Sequence, residues 1–403
     1  MPRTALFLVL FALSSVDARA HAPPYATGIG FHVTPAGERL MIRTNRGLIV
    51  GSREEGFRLV CNDAFRASLV ETVPVAELAG GGLLVGTYAG GLLRSDAALC
   101  DFDAVGPDEM SPVDVVGGAD GLVRALLLPL DGSDGRLFES ADGGASFERL
   151  AAVGTAPTAL VTAASDPQRV YVSTNTTEGN QSSGHVLVSQ DGGRHFTDRL
   201  LELEPAELRP YALAVDADDP ARLFVRTESR DGIAPERLLL SEDAGETFRA
   251  VLTAQGPITL ALGEAGEVWA GSATGLYRSR DGGASFEPLD SADLTRVSCL
   301  AVRGGRLYAC ALSALEFGVL VSEDAGLTFR WFLRFQEVSA RATCPDTSDE
   351  GSSCALAFED WSLEQLVPNA APPPTAAGAS AAPRAGEADE RGGGCATSAP
   401  GRP

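Results

Sequence analysis

The stretch SADGGASFERL, Ser140 to Leu150, packs a hydroxyl, a carboxylate and two glycines into its first five residues. Taken alone it reads like a site. It returns as SQDGGRHF from Ser189, SEDAGETF from Ser241, SRDGGASF from Ser279 and SEDAGLTF from Ser322. The steps are 49, 52, 38 and 43 residues, so the motif belongs to a repeat rather than to one locus.

Working outward from the box, each copy follows a similar preamble, clearest in GEVWAGSATGLYRSRDGGASFEPL. GLLVGTYAGGLLRSDAALCDFDAV, from Gly82, matches it in register, with Ser95 and Phe102 left of the box. RLMIRTNRGLIVGSREEGFRLV keeps only the strand–turn–strand outline. That makes seven units between about Gly28 and Gln336. Apolar runs of four to seven residues, cut by Gly, Asp and Asn, predict four short strands per unit, as in PITLALG, EVWAGS, GLYRS and SFEPL. Turn residues interrupt every run before two helical turns are complete. The expected fold is all-β, a seven-bladed propeller of four-stranded antiparallel blades over residues 21–336.

The box falls between the third and fourth strands of its blade. There the short oxygens of Ser140 and Asp142 can bond nearby N–H groups. Gly143 and Gly144 supply positive φ. Phe147 is expected to point into the blade interface, where a buried ring is worth roughly 1.5–3 kcal/mol. First–second and third–fourth turns then share one face of the disc. Second–third turns and blade-to-blade loops form the other, the expected ligand face. Five boxes around one rim cannot converge on one substrate. One carboxylate each is also too few for a calcium loop, so no metal is expected.

The pattern Ser-x-Asp-x-Gly-x-(Ser/Thr)-Phe resembles the Asp box, or bacterial neuraminidase repeat. Ser140, Asp142, Gly144 and Phe147 carry it, as do Ser241, Asp243, Gly245 and Phe248. So do Ser279, Asp281, Gly283 and Phe286, and Ser322, Asp324, Gly326 and Phe329. Ser189, Asp191, Gly193 and Phe196 match too, but His195 replaces the later hydroxyl. The resemblance covers about three-quarters of the chain. It implies a fold shared by sialidases, xyloglucanases, sortilin-type receptors and photosystem assembly factors, and by itself no single function. A sialidase likeness would imply an arginine trio, a Tyr/Glu pair and an acidic Asp. The Phe-Arg-Ile-Pro signature is represented only by LMIRT, and sialidases of this kind have six blades. Tyr171, Tyr277 and Tyr308 fall in strands, while Tyr88 and Tyr211 fall near the ligand face. Asp216, Asp218 and Asp219 lie at a first–second turn, where turn chemistry accounts for them.

Composition narrows the partners. The 54 acidic residues outnumber 32 basic ones for a net charge of -22, and every basic residue is arginine. Such a surface repels nucleic acid and anionic headgroups. MPRTALFLVLFALSSVDARA has the layout of a secretory signal peptide over residues 1–20, with no later span of membrane length. The expected molecule is exported, monomeric, free of cofactors and non-catalytic, recognising a protein or an extracellular glycan. The alternative is a sialidase-like exo-glycosidase. Second–third loops lengthen in blades 3, 4 and 5, and Asn175, Asn180, Arg230 and Asp231 are the candidate contacts there.

Seven cysteines suit an exported chain. Cys299 and Cys310 flank Gly304-Gly305 symmetrically, a hairpin pair. Cys344 and Cys354 would close a short loop, leaving Cys61 with Cys100 by elimination, although the register sets those two at opposite rims. Residues 337–368 read as a disulfide-stapled extension in which FEDWSLEQLV forms a short helix with Trp361, Leu363 and Leu366 on one side. Residues 369–403 are too poor in large apolar residues to fold. Their end, RGGGCATSAPGRP, resembles the start of a myxobacterial C-terminal surface-sorting tag, which would make Cys395 an anchoring thiol.

Overall fold

The computed structural model describes residues 24–364, apart from 35–36, 68–72, 119, 180, 291–293, 295, 313–316, 339 and 342. The segment read as an export signal, Asn180, Leu366 and the tail with Cys395 lie outside the described residues. Seven antiparallel sheets follow one another along the chain, at 26–61, 75–105, 110–152, 157–201, 207–254, 259–289 and 297–334. Each span forms a four-stranded meander in strict sequence order, and the first sheet gains one further strand. Blade 5 shows the pattern with Glu207–Val215, Leu223–Ser229, Glu236–Ser241 and Arg249–Ala254. First strands of neighbouring blades pack on one another, and the first strand of blade 1 packs on that of blade 7. The sheets therefore close into a seven-bladed propeller.

Alternation explains where the core sits. Successive strand residues face opposite sides of a blade, so each blade offers an apolar face to both neighbours. The seven buried clusters fall at the seven blade interfaces. Tyr171, Val186 and Val188 of blade 4 meet Leu223, Val225 and Leu239 of blade 5, for example. Ile42 and Ile49 of blade 1 meet Tyr308 and Val319 of blade 7. Phe147, Phe196, Phe248, Phe286 and Phe329 each join the interface with the preceding blade. All five stay half-buried, so each contributes less than the full-burial figure.

Closure uses a device that the spacing of the cysteines hides. Blade 1 is built wholly from N-terminal residues, so no strand from the other end completes it. Instead Ala340–Arg341 adds a fifth strand, parallel to the outer strand Gly56–Cys61 of blade 1. The helix Asp349–Glu364 then runs against blade 1. The bridges are Cys61–Cys354 and Cys100–Cys344, each with a Cα–Cα distance of 5.5 Å. The expected pairs Cys344–Cys354 and Cys61–Cys100 do not form. Cys354 lies in the helix, whose backbone carries it toward blade 1 and away from Cys344. The Cys61 amide donates to Cys354 Sγ at 3.2 Å. Cys299–Cys310 joins directly opposite residues of a hairpin, as the sequence predicts.

The helix also starts earlier than FEDWSLEQLV. Its first half, DEGSSCALA, has poor intrinsic propensity, which tertiary anchors override. The Glu350 amide donates to the Cys100 carbonyl at 3.0 Å, and the Asp349 carboxylate accepts the Phe102 amide at 2.9 Å. Trp361 is buried against Phe335, with ring centroids 5.5 Å apart.

Candidate ligand face

The boxes and the first–second turns share one face. In blades 4, 5 and 6 the box backbone donates to the first–second turn of its own blade, as Gly192 to Gln168, Ala244 to Ala221 and Gly282 to Gly266. Within a box, Ser140 Oγ donates to Asp142 Oδ1 at 2.8 Å and accepts the Gly144 amide at 2.8 Å. Asp142 Oδ1 takes the amides of Ala145 and Ser146, and Oδ2 takes the Ser146 hydroxyl at 2.6 Å. Ser279–Asp281 and Ser322–Asp324 repeat the geometry. In the fourth blade His195 Nδ1 stands 2.6 Å from Asp191 Oδ2, filling the place of the missing hydroxyl. These hydrogen bonds, led by the Ser146 hydroxyl, hold the Asp142 carboxyl well below its ordinary range, and Thr328 does the same for Asp324, to about 2.

The preceding blade grips the boxes of blades 3, 6 and 7 by a backbone carbonyl. Arg94 donates to the Gly143 carbonyl, Arg222 to Gly282 and the Trp269 indole to Ala325. This explains the glycine pattern. At the first glycine place Ala244 and Ala325 adopt φ of 58° and 61°, which alanine tolerates at modest cost. At the second, a Cβ on Gly283 would stand 2.4 Å from Phe224, and one on Gly193 2.4 Å from Leu137, besides the positive φ.

The opposite face carries the longer loops. Asn175 is buried, with Nδ2 directed at Thr177 Oγ1 at 3.4 Å. Arg230 bridges blades, donating to Ser182 Oγ in blade 4 and to the Glu207 carbonyl, both at 3.1 Å. Asp231 Oδ1 accepts the amides of Ala234 and Ile233 and the Ser229 hydroxyl, which pull its carboxyl down to about 2. Asn175 and Arg230 contact Thr177 and Ser182, which are directly opposite in one hairpin. Arg230 and Asp231 are engaged in shaping their loop.

A denser cluster that sequence reading did not assemble crowns blade 5. Arg209 pairs with Glu228, and Tyr211 Oη donates to Glu228 Oε2 at 3.3 Å. Arg226 stacks over the Tyr211 ring at 4.3 Å and binds Glu236 at 2.9 Å. Burial, and then the Glu228 charge, raise the Tyr211 pKa. Beside it Arg237 grips both oxygens of Glu207, at 2.7 and 2.6 Å. Burial would raise the Glu207 carboxyl, yet Arg237 and Thr227 leave it below its ordinary range. The signal was available as Arg209, Tyr211, Arg226 and Glu228 on paired strands, but their register needed coordinates.

Blade 4 holds a cross-strand chain in which Thr176 Oγ1 lies 3.2 Å from His185 Nε2, and His185 Nδ1 lies 3.0 Å from Asp198 Oδ1. The order is that of a nucleophilic relay. Acyl transfer also needs backbone donors aimed at a developing oxyanion. Here the hairpin is paired residue for residue from Val170 to Glu178, on an open flank.

Arg43 of blade 1 and Asp114 of blade 3 are both half-buried. First strands of several blades bulge near their ligand-face ends, at Thr27, Val113, Thr158 and Leu208. A bulge re-aims the adjacent side chain.

No protein-family model matches this sequence, and no curated protein matches it. Among solved structures the chain is similar to a chain of Kuenenia stuttgartiensis hydrazine synthase, at 11% identity and a TM-score of 0.53, over 77% of this chain and 99% of that one. It is similar to YCF48 from Cyanidioschyzon merolae at 14% identity and a TM-score of 0.49, over 71% and 92%. The Niastella koreensis GH74 enzyme matches at 14% identity and a TM-score of 0.32, over 76% of this chain but only 62% of that one. At these identities the likeness is one of fold alone, and the hydrazine synthase match aligns well enough to bear on it. Among the described residues no helix is long and apolar enough to cross a membrane.

Proposed function

We propose that the chain is an exported propeller of the Asp-box kind that binds a protein partner on the loop face and performs no catalysis. The observation that carries this reading is the set of large apolar side chains raised on that face. Tyr88 is 71% exposed, Leu130 57% and Ile233 76%, on the second–third loops of blades 2, 3 and 5. Apolar tips gathered on one rim favour a covered surface. A cavity of about 380 Å³ adjoins Leu130, lined by Asp108, Glu109, Met110, Pro129, Asp131 and Arg136. The boxes serve as joints: their polar atoms are spent on their own turns and their carbonyls on the preceding blade. Export agrees with three disulfides and with the leader-like N-terminus. The test is affinity capture from the native compartment by wild type and by a Leu130→Asp/Ile233→Asp variant of equal stability. Loss of the captured protein with the variant supports the reading, and identical capture refutes it.

A second reading, a sialidase-like glycosidase, is favoured by one observation: the Tyr211–Glu228 hydrogen bond flanked by Arg209 and Arg226. Against it, both guanidinium groups are already held by carboxylates and the phenol pKa moves up. A fluorogenic sialoside decides. Turnover abolished in Tyr211→Phe would establish this second reading.

A further inference from the structure

In blades 4 to 7 one residue of the second strand lies directly opposite the box serine: Val170 to Ser189, Leu223 to Ser241, Val268 to Ser279 and Leu307 to Ser322. The residues on either side of it reach turns of the following blade. Tyr171 Oη donates to the Pro220 carbonyl at 2.6 Å, Arg222 Nη1 to Gly282 at 2.8 Å and the Trp269 indole to Ala325 at 3.1 Å. By the same register the matching residues of blade 7 are Arg306 and Tyr308. Blade 1 follows blade 7 around the ring and has no box to offer them. Its third–fourth turn runs from Ser52 to Phe57 in five residues, where Ser279 to Phe286 takes seven, and Ser52 pairs directly with Gly56. Phe57 keeps a ring in the seam, 6.0 Å from Phe332. The turn is shorter at its apex, and a cavity of about 380 Å³ is bordered there by Ser52, Arg53, Glu54, Arg306, Tyr308 and Phe332.

We propose that this cavity binds a tight turn of a second polypeptide, which presents to Tyr308 and Arg306 the backbone carbonyls that blade 1 does not supply. Tyr308 is only 6% exposed, its ring held edge-on between Phe31 and Phe332 with both centroids 5.3 Å away. Among the described residues its hydroxyl has no hydrogen-bond partner, although a phenol this buried ordinarily finds one. Arg306 is left with Glu323, 3.2 Å from an oxygen that also takes Arg330. Two donors therefore border one cavity without the acceptor that their counterparts hold. Glu54 stands at the same cavity and makes no ion pair among the described residues, which favours a neutral carbonyl over a carboxylate. Arg53 donates to the Trp331 and Phe332 carbonyls, both at 2.9 Å, so the wall is set before anything binds and the ordering cost is low. The site lies on the box face and stands apart from the loop-face reading.

The experiment is a fluorescence-anisotropy titration of the full chain into a labelled cyclic peptide containing SRDGGASF, the box of blade 6. Saturable binding at one site per chain is expected. Tyr308→Phe removes the hydroxyl alone and should weaken binding roughly fivefold. Arg306→Ala, at an exposed position, should weaken it at least as much. Replacing Ser52–Gly56 by SRDGGAS completes a box in blade 1 and should abolish peptide binding; if that variant fails to fold, the two point variants still decide. Leu130→Asp/Ile233→Asp should bind the peptide as wild type does, and weakened binding there would move the peptide to the loop face and overturn the proposal. N-acetylglucosamine carries an amide carbonyl on a sugar, and tighter binding of it than of the peptide overturns the assignment to a polypeptide. No saturable binding of the peptide, or binding undiminished in both Tyr308→Phe and Arg306→Ala, overturns the site itself.

Discussion

Breaking the Cys61–Cys354 bridge with Cys61→Ser/Cys354→Ser should cost more than breaking Cys299–Cys310. The two bridges span 293 and 11 residues. Loop-closure entropy scales with the logarithm of the closed path, which Cys100–Cys344 shortens for the long bridge to the segments 61–100 and 344–354, giving about 4 kcal/mol against about 3 kcal/mol for the short one. The long bridge has a second reason to matter. The four antiparallel strands of blade 1 all come from the N-terminal side, so its seam with blade 7 rests on side-chain packing, the added fifth strand Ala340–Arg341 and these crosslinks. The measurement is urea unfolding of wild type and both double variants, with the m-value followed as well as the midpoint. A lower m-value in the long-bridge variant would mean that the seam opens ahead of the ring. If that variant loses no more stability than Cys299→Ser/Cys310→Ser, closure is carried by blade packing alone and the argument fails.

Ser279→Ala strips a buried hydroxyl and leaves the Gly283 amide without its acceptor, so chemical denaturation should register a loss of about 1–3 kcal/mol. Gly283→Ala should be at least as damaging while Ala325→Gly changes stability by under about 1 kcal/mol, because only the first site combines positive φ with a 2.4 Å approach to Phe224. His195→Thr should leave the melting temperature near that of wild type, since a hydroxyl fills the same place in the other four boxes. Acid should loosen the molecule in a defined window. The box carboxyls are depressed when folded, so their contribution is full above the unfolded value near 4 and disappears as pH falls toward about 2. A thermal-melt series flat from pH 5 to pH 2 would contradict this.

The blades were legible because each is a local object. Strand runs such as VYVST and VLVS, the turn between them and the box following all lie within about 45 residues, the range in which periodicity carries information. Closure was illegible for the opposite reason. Nothing near Cys61 encodes Cys354, and the short spacing of Cys344 and Cys354 favours the wrong partners. Helix onset at Asp349 was hidden similarly, since Gly351, Ser352 and Ser353 turn helical under constraints supplied by blade 2. On the loop face, residue type pointed to Asn175, Arg230 and Asp231, but burial and hydrogen-bond partners decide what is free to meet a ligand.

The long bridges impose a timetable on biogenesis. A ribosome delivers Cys61 and Cys100 hundreds of residues before Cys354 and Cys344 exist, so both must wait as thiols while the last five blades are synthesised. Their premature union is the obvious kinetic trap, and escape from it requires thiol–disulfide exchange. Maturation of this protein should therefore be paced by an oxidoreductase acting on a nearly finished ring.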